Sequence, residues 1–272
     1  MTDIRQSPLY AAFINRIGWQ VEKVGTSFAY IKKLPFIPTL LKIQRPNQLP
    51  AQAELKAIAQ KYGRSRVVIE PLPEQHPRYT DAKLLEDGFT YSKSITVDIN
   101  KSEIDIFATF ADSKRRGIKR AEKLGVKVVH EKDINTFIHL KKRTSGLLGF
   151  LTVNTLTALW KVFSLHNAFL LLATEKDSEA LIAGLLILVW DETAYYWQAA
   201  ATDRGKKLHV PSLLVWEAIK EAKKRKCRRL NFDGVYDERF PKINKSWQGF
   251  TKFKMDFGGT PVYYPQPVAL MF

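Results

Sequence analysis

A single cysteine, Cys227, in 272 residues excludes an internal disulfide framework and any zinc site built from several thiolates. Histidine is also sparse, and His76, His130, His139, His166 and His209 show no ligand spacing, so no metal is expected. Long apolar runs are missing: the longest, Ala180 to Trp190, falls well short of the roughly 20 residues of a membrane helix and reads as a buried strand. The opening Met1 to Arg5 has no apolar core of a signal peptide, and a reducing cytoplasm is the expected location. No Gly-x-Ser-x-Gly elbow, Walker A loop or zinc signature occurs. Acidic residues are few as well. The 27 Asp and Glu stand against 43 Lys and Arg, a net charge of +16 that favours polyanions such as RNA, nucleotide diphosphates or an anionic membrane surface.

What is present is an ordinary globular composition, 45% hydrophobic and 26% charged, in a chain long enough for two modest cores. Ser7 and Pro8 read as the cap and first residue of a short helix with Leu9, Phe13 and Ile17 on one face, ended by Gly18. Strands are expected at Trp19 to Val24, Phe28 to Lys32, Leu40 to Ile43, Arg66 to Ile69 and Tyr91 to Ile99, with helices at Ala51 to Tyr62 and Asp81 to Glu86. In the second half helices are expected at Ile104 to Leu124, Ile134 to Leu148 and Thr155 to Phe163. Strands follow at Phe169 to Thr174, Leu181 to Trp190 and Ala194 to Ala199, then a helix from Pro211 and a strand at Arg229 to Phe232. The short connections between 169 and 199 imply antiparallel neighbours, and the alternation gives an α/β class.

Two segments carry chemistry. In Ile104 to Leu124, apolar residues recur at helical spacing while Lys114, Arg115, Arg116, Lys119, Arg120 and Lys123 crowd the remainder, six cations within ten residues that only Glu122 relieves. Such crowding repels unless an anion sits nearby; otherwise the run is a solvated helix face. The second segment, Trp247 to Gly259, sets Phe250, Phe253 and Phe257 at three- and four-residue spacing, a pattern for a core stripe. On a helix Lys254 would share that apolar face, where lysines are seldom found without a partner.

This closing segment, with Phe253-Lys254 followed by Phe257-Gly258-Gly259, resembles the closing motif of the Fem-type peptidoglycan-bridge aminoacyltransferases. Ser113 to Val126, a basic helix running into a Gly-Val strand start, is similar to a second part of that family, and Ala199 to Ile219 to a third. The resemblance implies tandem GNAT-like acyltransferase domains in an α/β (α+β) arrangement, in a compact form without the helical hairpin some relatives insert. The domains would be residues 1–100, rejoined by 258–272, and a catalytic 101–257. It places Lys254 at the family's active-site lysine beside Phe253. It also implies phosphate contacts for the basic helix, for which Arg115, Lys119 and Arg120 are chosen because guanidinium and ammonium groups suit phosphate oxygens.

Further substrate-binding candidates are Lys252 and the loop after the last strand, Asp233 and Tyr236. Family members often have an acid where this chain has Asn231, and Asp233, Asp237 and Glu238 either recognise an amino group or are plain loop acids. The activity implied is tRNA-dependent transfer of an amino acid to the stem peptide of a peptidoglycan precursor, nucleotide- or lipid-linked. Aminoacyl-tRNA is then the donor, no cofactor is needed, and contact with a membrane surface is compatible with the charge. Two other readings stay open. One is a GNAT-type N-acyltransferase using acyl-CoA or another donor, although Arg204 to His209 lacks the second glycine of the usual pyrophosphate loop. The other is a non-catalytic protein that binds RNA or the envelope.

Overall fold

The computed structural model describes residues 2–144, 149–176 and 178–272. The first elements are α1 (Pro8–Arg16), β1 (Gln20–Val24), β2 (Ser27–Lys32), β3 (Thr39–Gln44), α2 (Gln52–Gln60), β4 (Ser65–Glu70), β5 (Lys83–Leu84) and β6 (Lys93–Asp98). Then come α3 (Glu103–Ala108), α4 (Asp112–Lys123), β7 (Lys127–Glu131), α5 (Ile134–Thr144), α6 (Gly149–Phe163), β8 (Ala168–Thr174), β9 (Leu181–Trp190) and β10 (Thr193–Ala201). The remainder is α7 (Asp203–Lys207), α8 (Val210–Lys224), β11 (Arg229–Gly234), α9 (Gln248–Met255), β12 (Thr260–Tyr263) and β13 (Val268–Met271).

The chain divides into two units. The first runs to Ser94 and also takes up Gly234–Gln248 and Pro261–Phe272; the second is Ile95–Asp233 with Gly249–Thr260. These limits differ from a split at residue 100 with a return at 258. Hydrogen bonding explains part of the difference: Val235 N donates to Lys93 O and Tyr264 N to Ser92 O, tying both later segments to the first unit.

The first unit is a six-stranded sheet in the order β1-β2-β3-β4-β13-β5. β3 and β4 are parallel, joined by the α2 crossover, and the other pairs are antiparallel. Ile31, Leu41, Val67 and Leu270 from neighbouring strands pack on Leu55 and Ile58 of α2. At α1 the Ser7 hydroxyl accepts from Tyr10 N at 2.9 Å with Pro8 at the first turn, the expected cap. The helix expected at Asp81 to Glu86 is instead the edge strand β5, paired with β13. Asp81 sits at φ 61°, outside the right-handed helical region, so it is not itself a helical residue.

In the second unit β7, β8, β9 and β10 form an antiparallel meander, and β11 lies parallel to β10 with β6 beyond it. The single helix expected from Ile104 to Leu124 is two helices. Ala111 is extended (φ −57°, ψ 147°), and its N–H donates to Asp256 O at 2.8 Å, which stabilises the break. Phe110, Trp216, Phe232 and Phe257 meet edge to face or tilted at 5.1 to 5.7 Å between centroids, the aromatic centre of this unit. Phe257 is thus a core residue, as its spacing implies, whereas Phe250 is exposed. The expected end of the 134 helix at Leu148 lies outside the described residues. Among the described residues no helix is long and apolar enough to cross a membrane.

Candidate active site

The site forms where β10 and β11 separate. These parallel strands pair only over Thr193–Tyr195 and Arg229–Asn231, and a register shift between Tyr196 and Gln198 bends β10 away. Two strands that diverge at the middle of a sheet leave a wedge for side chains. Here α9 fills it.

Lys254 is 8% exposed. Its Nζ donates to Phe232 O on β11 at 2.6 Å and stands 5.5 Å from the Tyr196 ring centroid and 5.0 Å from that of Phe250. Burial lowers its pKa to about 8, a fall partly opposed by the Asp233 carboxylate. Asp233 itself turns through φ 59°, with its N–H donating to the Asn231 side-chain oxygen at 2.7 Å. Asn231 therefore sets the turn that brings a carboxylate toward Lys254, a role that the acid expected there could also fill, since only its side-chain oxygen is used. Burial also pushes the Tyr196 phenol up, so this ring stays neutral.

Phe253 faces the other way. Its ring packs at 5.3 Å on Phe257 and lies 4.3 Å under Lys114 Nζ, which also approaches Asp256 Oδ2 at 3.6 Å. Burial lowers the Lys114 pKa, with Asp256 opposing and the nearby Lys252 assisting. A cavity of about 370 Å³ is walled by Tyr196 and Ala199–Ala201 of β10, Lys206 of α7, His209 and Ser212 at the head of α8, and by Lys114 and Phe253. Lys254, Phe253, Asp233 and Lys252 are thus gathered around α9.

The basic helix is less uniform than its sequence. Arg115 donates to Ala108 O at 3.0 Å and pairs with Asp112, so it is engaged in bracing the α3–α4 junction. Lys119 and Arg120 are exposed, about 8 Å farther along the axis than Lys114 at 1.5 Å per residue. Tyr236 belongs to the first unit, as do Asp237 and Glu238. Asp237 is held below its usual range: burial works to raise it, but bonds from Arg239 and Ser92 prevail. Glu238 pairs with Lys93 and Tyr263. Both acids are occupied within the first unit.

Lys114, Lys206, His209 and Ser212 line the cavity without having been singled out from the sequence as site residues. For Lys114 a signal exists, since Lys114, Ile118 and Ala121 follow i, i+4, i+7 spacing and the last two are buried. The segment Arg204 to His209, expected as a loop, is largely the short helix α7, started by Thr202 Oγ1 accepting from Gly205 N. Gly205 is there for packing: a Cβ would come within 2.4 Å of Ile182 O on β9. The Lys206, Leu208 and His209 amides are spent on Thr202 O, Arg204 O and Lys206 O, so they form no open pyrophosphate cradle.

Residues 110–242 match the family model of the acetyltransferase (GNAT) domain. No curated protein matches the sequence. The fold is similar to that of the crystal structure of FemX, with a TM-score of 0.80 and 14% identity over 99% of this chain and 92% of FemX. L-PGS from Bacillus licheniformis is similar with a TM-score of 0.62 and 14% identity, over 95% of this chain and 86% of that one. The C-terminal domain of a putative lysylphosphatidylglycerol synthetase from Agrobacterium fabrum gives 0.62 and 11%, over 98% and 88%. Residues 110–242 of this chain are a GNAT-type acyltransferase domain, and the chain as a whole has the tandem GNAT-like fold of FemX.

Proposed function

We propose that this acyltransferase moves an amino acid from aminoacyl-tRNA to the stem peptide of a peptidoglycan precursor in the cytoplasm, without a cofactor. The observation that carries the reading is the buried Lys254, fixed on Phe232 O beside Tyr196 where the sheet opens. Transfer from an ester to an amine passes through a tetrahedral oxyanion, and a proton must reach the departing ribose oxygen. With a pKa near 8, Lys254 is mostly ammonium at neutral pH, and in a dry site its charge stabilises the oxyanion by several kcal/mol. The same ammonium is acidic enough to protonate the leaving oxygen, and the attacking amine loses its proton to water or to the substrate's own groups. Phe253 holds one wall of the cavity, Lys114 and Lys206 supply cations there, and Lys254 stands 5.5 Å from the ring centroid of Tyr196, another wall residue. Lys119, Arg120 and Lys252 are exposed cations suited to phosphates of the donor or acceptor, while Asp233, in the same unit as Lys254, is a candidate for a polar contact with the acceptor.

The acetyltransferase match favours a second reading, transfer from an acyl-CoA to a small amine, and the occupied amides of α7 weigh against it. One assay separates them. The purified chain is incubated with charged tRNAs or with an acyl-CoA, and with nucleotide-linked or lipid-linked muramyl-pentapeptide or a panel of small amines, and the acceptor mass is read with and without ribonuclease. A gain of one amino-acid residue, lost with ribonuclease, is expected. A gain that requires a CoA thioester instead assigns the second reading, and no gain from either donor overturns both.

A further inference from the structure

The first unit carries an apolar projection that its own fold leaves uncovered. The β2–β3 connection reads Lys32-Lys33-Leu34-Pro35-Phe36-Ile37-Pro38. Leu34, Phe36 and Ile37 are exposed, Phe36 completely. Phe36 also sits at φ 65°, in the left-handed region where a bulky residue is an outlier and where Gly or Asn is the usual solution. A phenylalanine there has both backbone strain and a wholly hydrated ring, and an apolar phase receiving the ring offsets the second cost. Next to the loop a groove of about 960 Å³ extends this surface, with Leu34 and Ile37 at one side and Phe89 and Met271 also on its wall.

The charge around it is one-sided. Lys33 is exposed beside the loop, and Lys56, Arg66 and Lys83 border the groove against a single acid, Asp81. Short apolar side chains at a protruding tip, ringed by long cationic ones, match the layering of an anionic bilayer surface. The rings enter the acyl boundary while ammonium and guanidinium groups remain at the phosphates. A protein partner calls for a different pattern, an apolar centre depleted of charge and closed by a polar rim.

We propose that the first unit docks on an anionic phospholipid bilayer through Leu34, Phe36 and Ile37, with Lys33, Lys56, Arg66 and Lys83 over the headgroup phosphates. This stands on the surface of the first unit and is independent of the transfer reaction. The test floats the full chain with vesicles of phosphatidylcholine alone or mixed with phosphatidylglycerol. Flotation with the mixed vesicles only is expected, and Phe36→Asp with Ile37→Asp should weaken it about tenfold or more, the scale of removing apolar burial. Lys33→Glu with Lys83→Glu should weaken it most at low salt. Because these positions are exposed, the variants should keep the parent melting temperature. Phe36→Cys carrying an environment-sensitive dye, selective because Cys227 is buried, should shift to the blue on the mixed vesicles. Absence of flotation overturns the proposal, as does flotation untouched by the double Asp change, which would put the attraction elsewhere on this basic chain. A concentration-dependent dimer abolished by that change, with no lipid effect, would assign the loop to a second copy.

Discussion

At the scale of single residues, Lys254 decides the chemistry. Its replacement by Met keeps the length and apolar stem while removing the charge, so Lys254→Met should fold and yet lose transfer activity by about 100-fold or more, the scale of deleting an oxyanion donor. Normal turnover by a folded variant would remove Lys254 from the mechanism. The same residue makes a stability signature. Its pKa is lowered in the fold from 10.5 to about 8, so between those two values the unfolded chain binds the extra proton. Native stability should therefore rise as pH increases from about 8 toward 10.5. Below pH 8 the full penalty applies, on the order of 3 kcal/mol. Lys42 also has a pKa lowered to about 8 by burial, so the readout is the difference between parent and Lys254→Met in chemical unfolding across this range. Parallel pH curves would show that Lys254 titrates normally. The sequence made Lys254 visible because a lysine on a phenylalanine stripe is anomalous. It could not reveal the acceptor, Phe232 O, which lies in another element and becomes available only where two strands part.

At the scale of elements, α4 separates into roles that its composition conceals. Lys114 turns inward to Phe253 and Asp256, Arg115 braces the turn from α3, and Lys119 and Arg120 face solvent. Lys119→Glu with Arg120→Glu should weaken polyanion binding about tenfold at low salt and progressively less as salt rises, measured with tRNA by filter binding. Melting should be unaffected. Unchanged affinity at every salt concentration would show this face to be solvated only. The outlines of β8, β9, β10, α8 and α1 were legible from apolar runs, spacing and caps. The break at Ala111 was not, because it depends on Asp256 O, more than a hundred residues later. α7 was missed because Arg204-Gly205 reads as a loop; only the 2.4 Å clearance beside Ile182 O shows the glycine serving helix packing.

At the scale of the whole molecule, the two units interleave along the chain: it passes from one to the other after Ser94, Asp233, Gln248 and Thr260. A fragment of residues 101–257 therefore lacks β6, with the buried Ile95 and Val97, and the buried Ile99 that follows it, and lacks Gly258, whose φ of 73° and fit against Thr109 O exclude a side chain. Such a fragment should show no cooperative thermal unfolding by circular dichroism, whereas the full chain should. A sharp transition in the fragment would mean that the second unit closes without β6. Composition and element order made a two-part α/β chain legible. The interleaving was not, since it is set by long-range pairings such as Val235 N to Lys93 O that leave no periodic trace.

The place of β13 in the first sheet has a consequence during synthesis. It lies between β4 and β5, with Val268 opposite both Ile69 and Leu84. Until the ribosome has supplied Val268–Met271, β4 presents a bare hydrogen-bonding edge beside Val67 and Ile69, and such an edge invites pairing with other nascent chains. The newborn first unit consequently exposes this edge until Val268–Met271 have left the ribosome and can pair with β4.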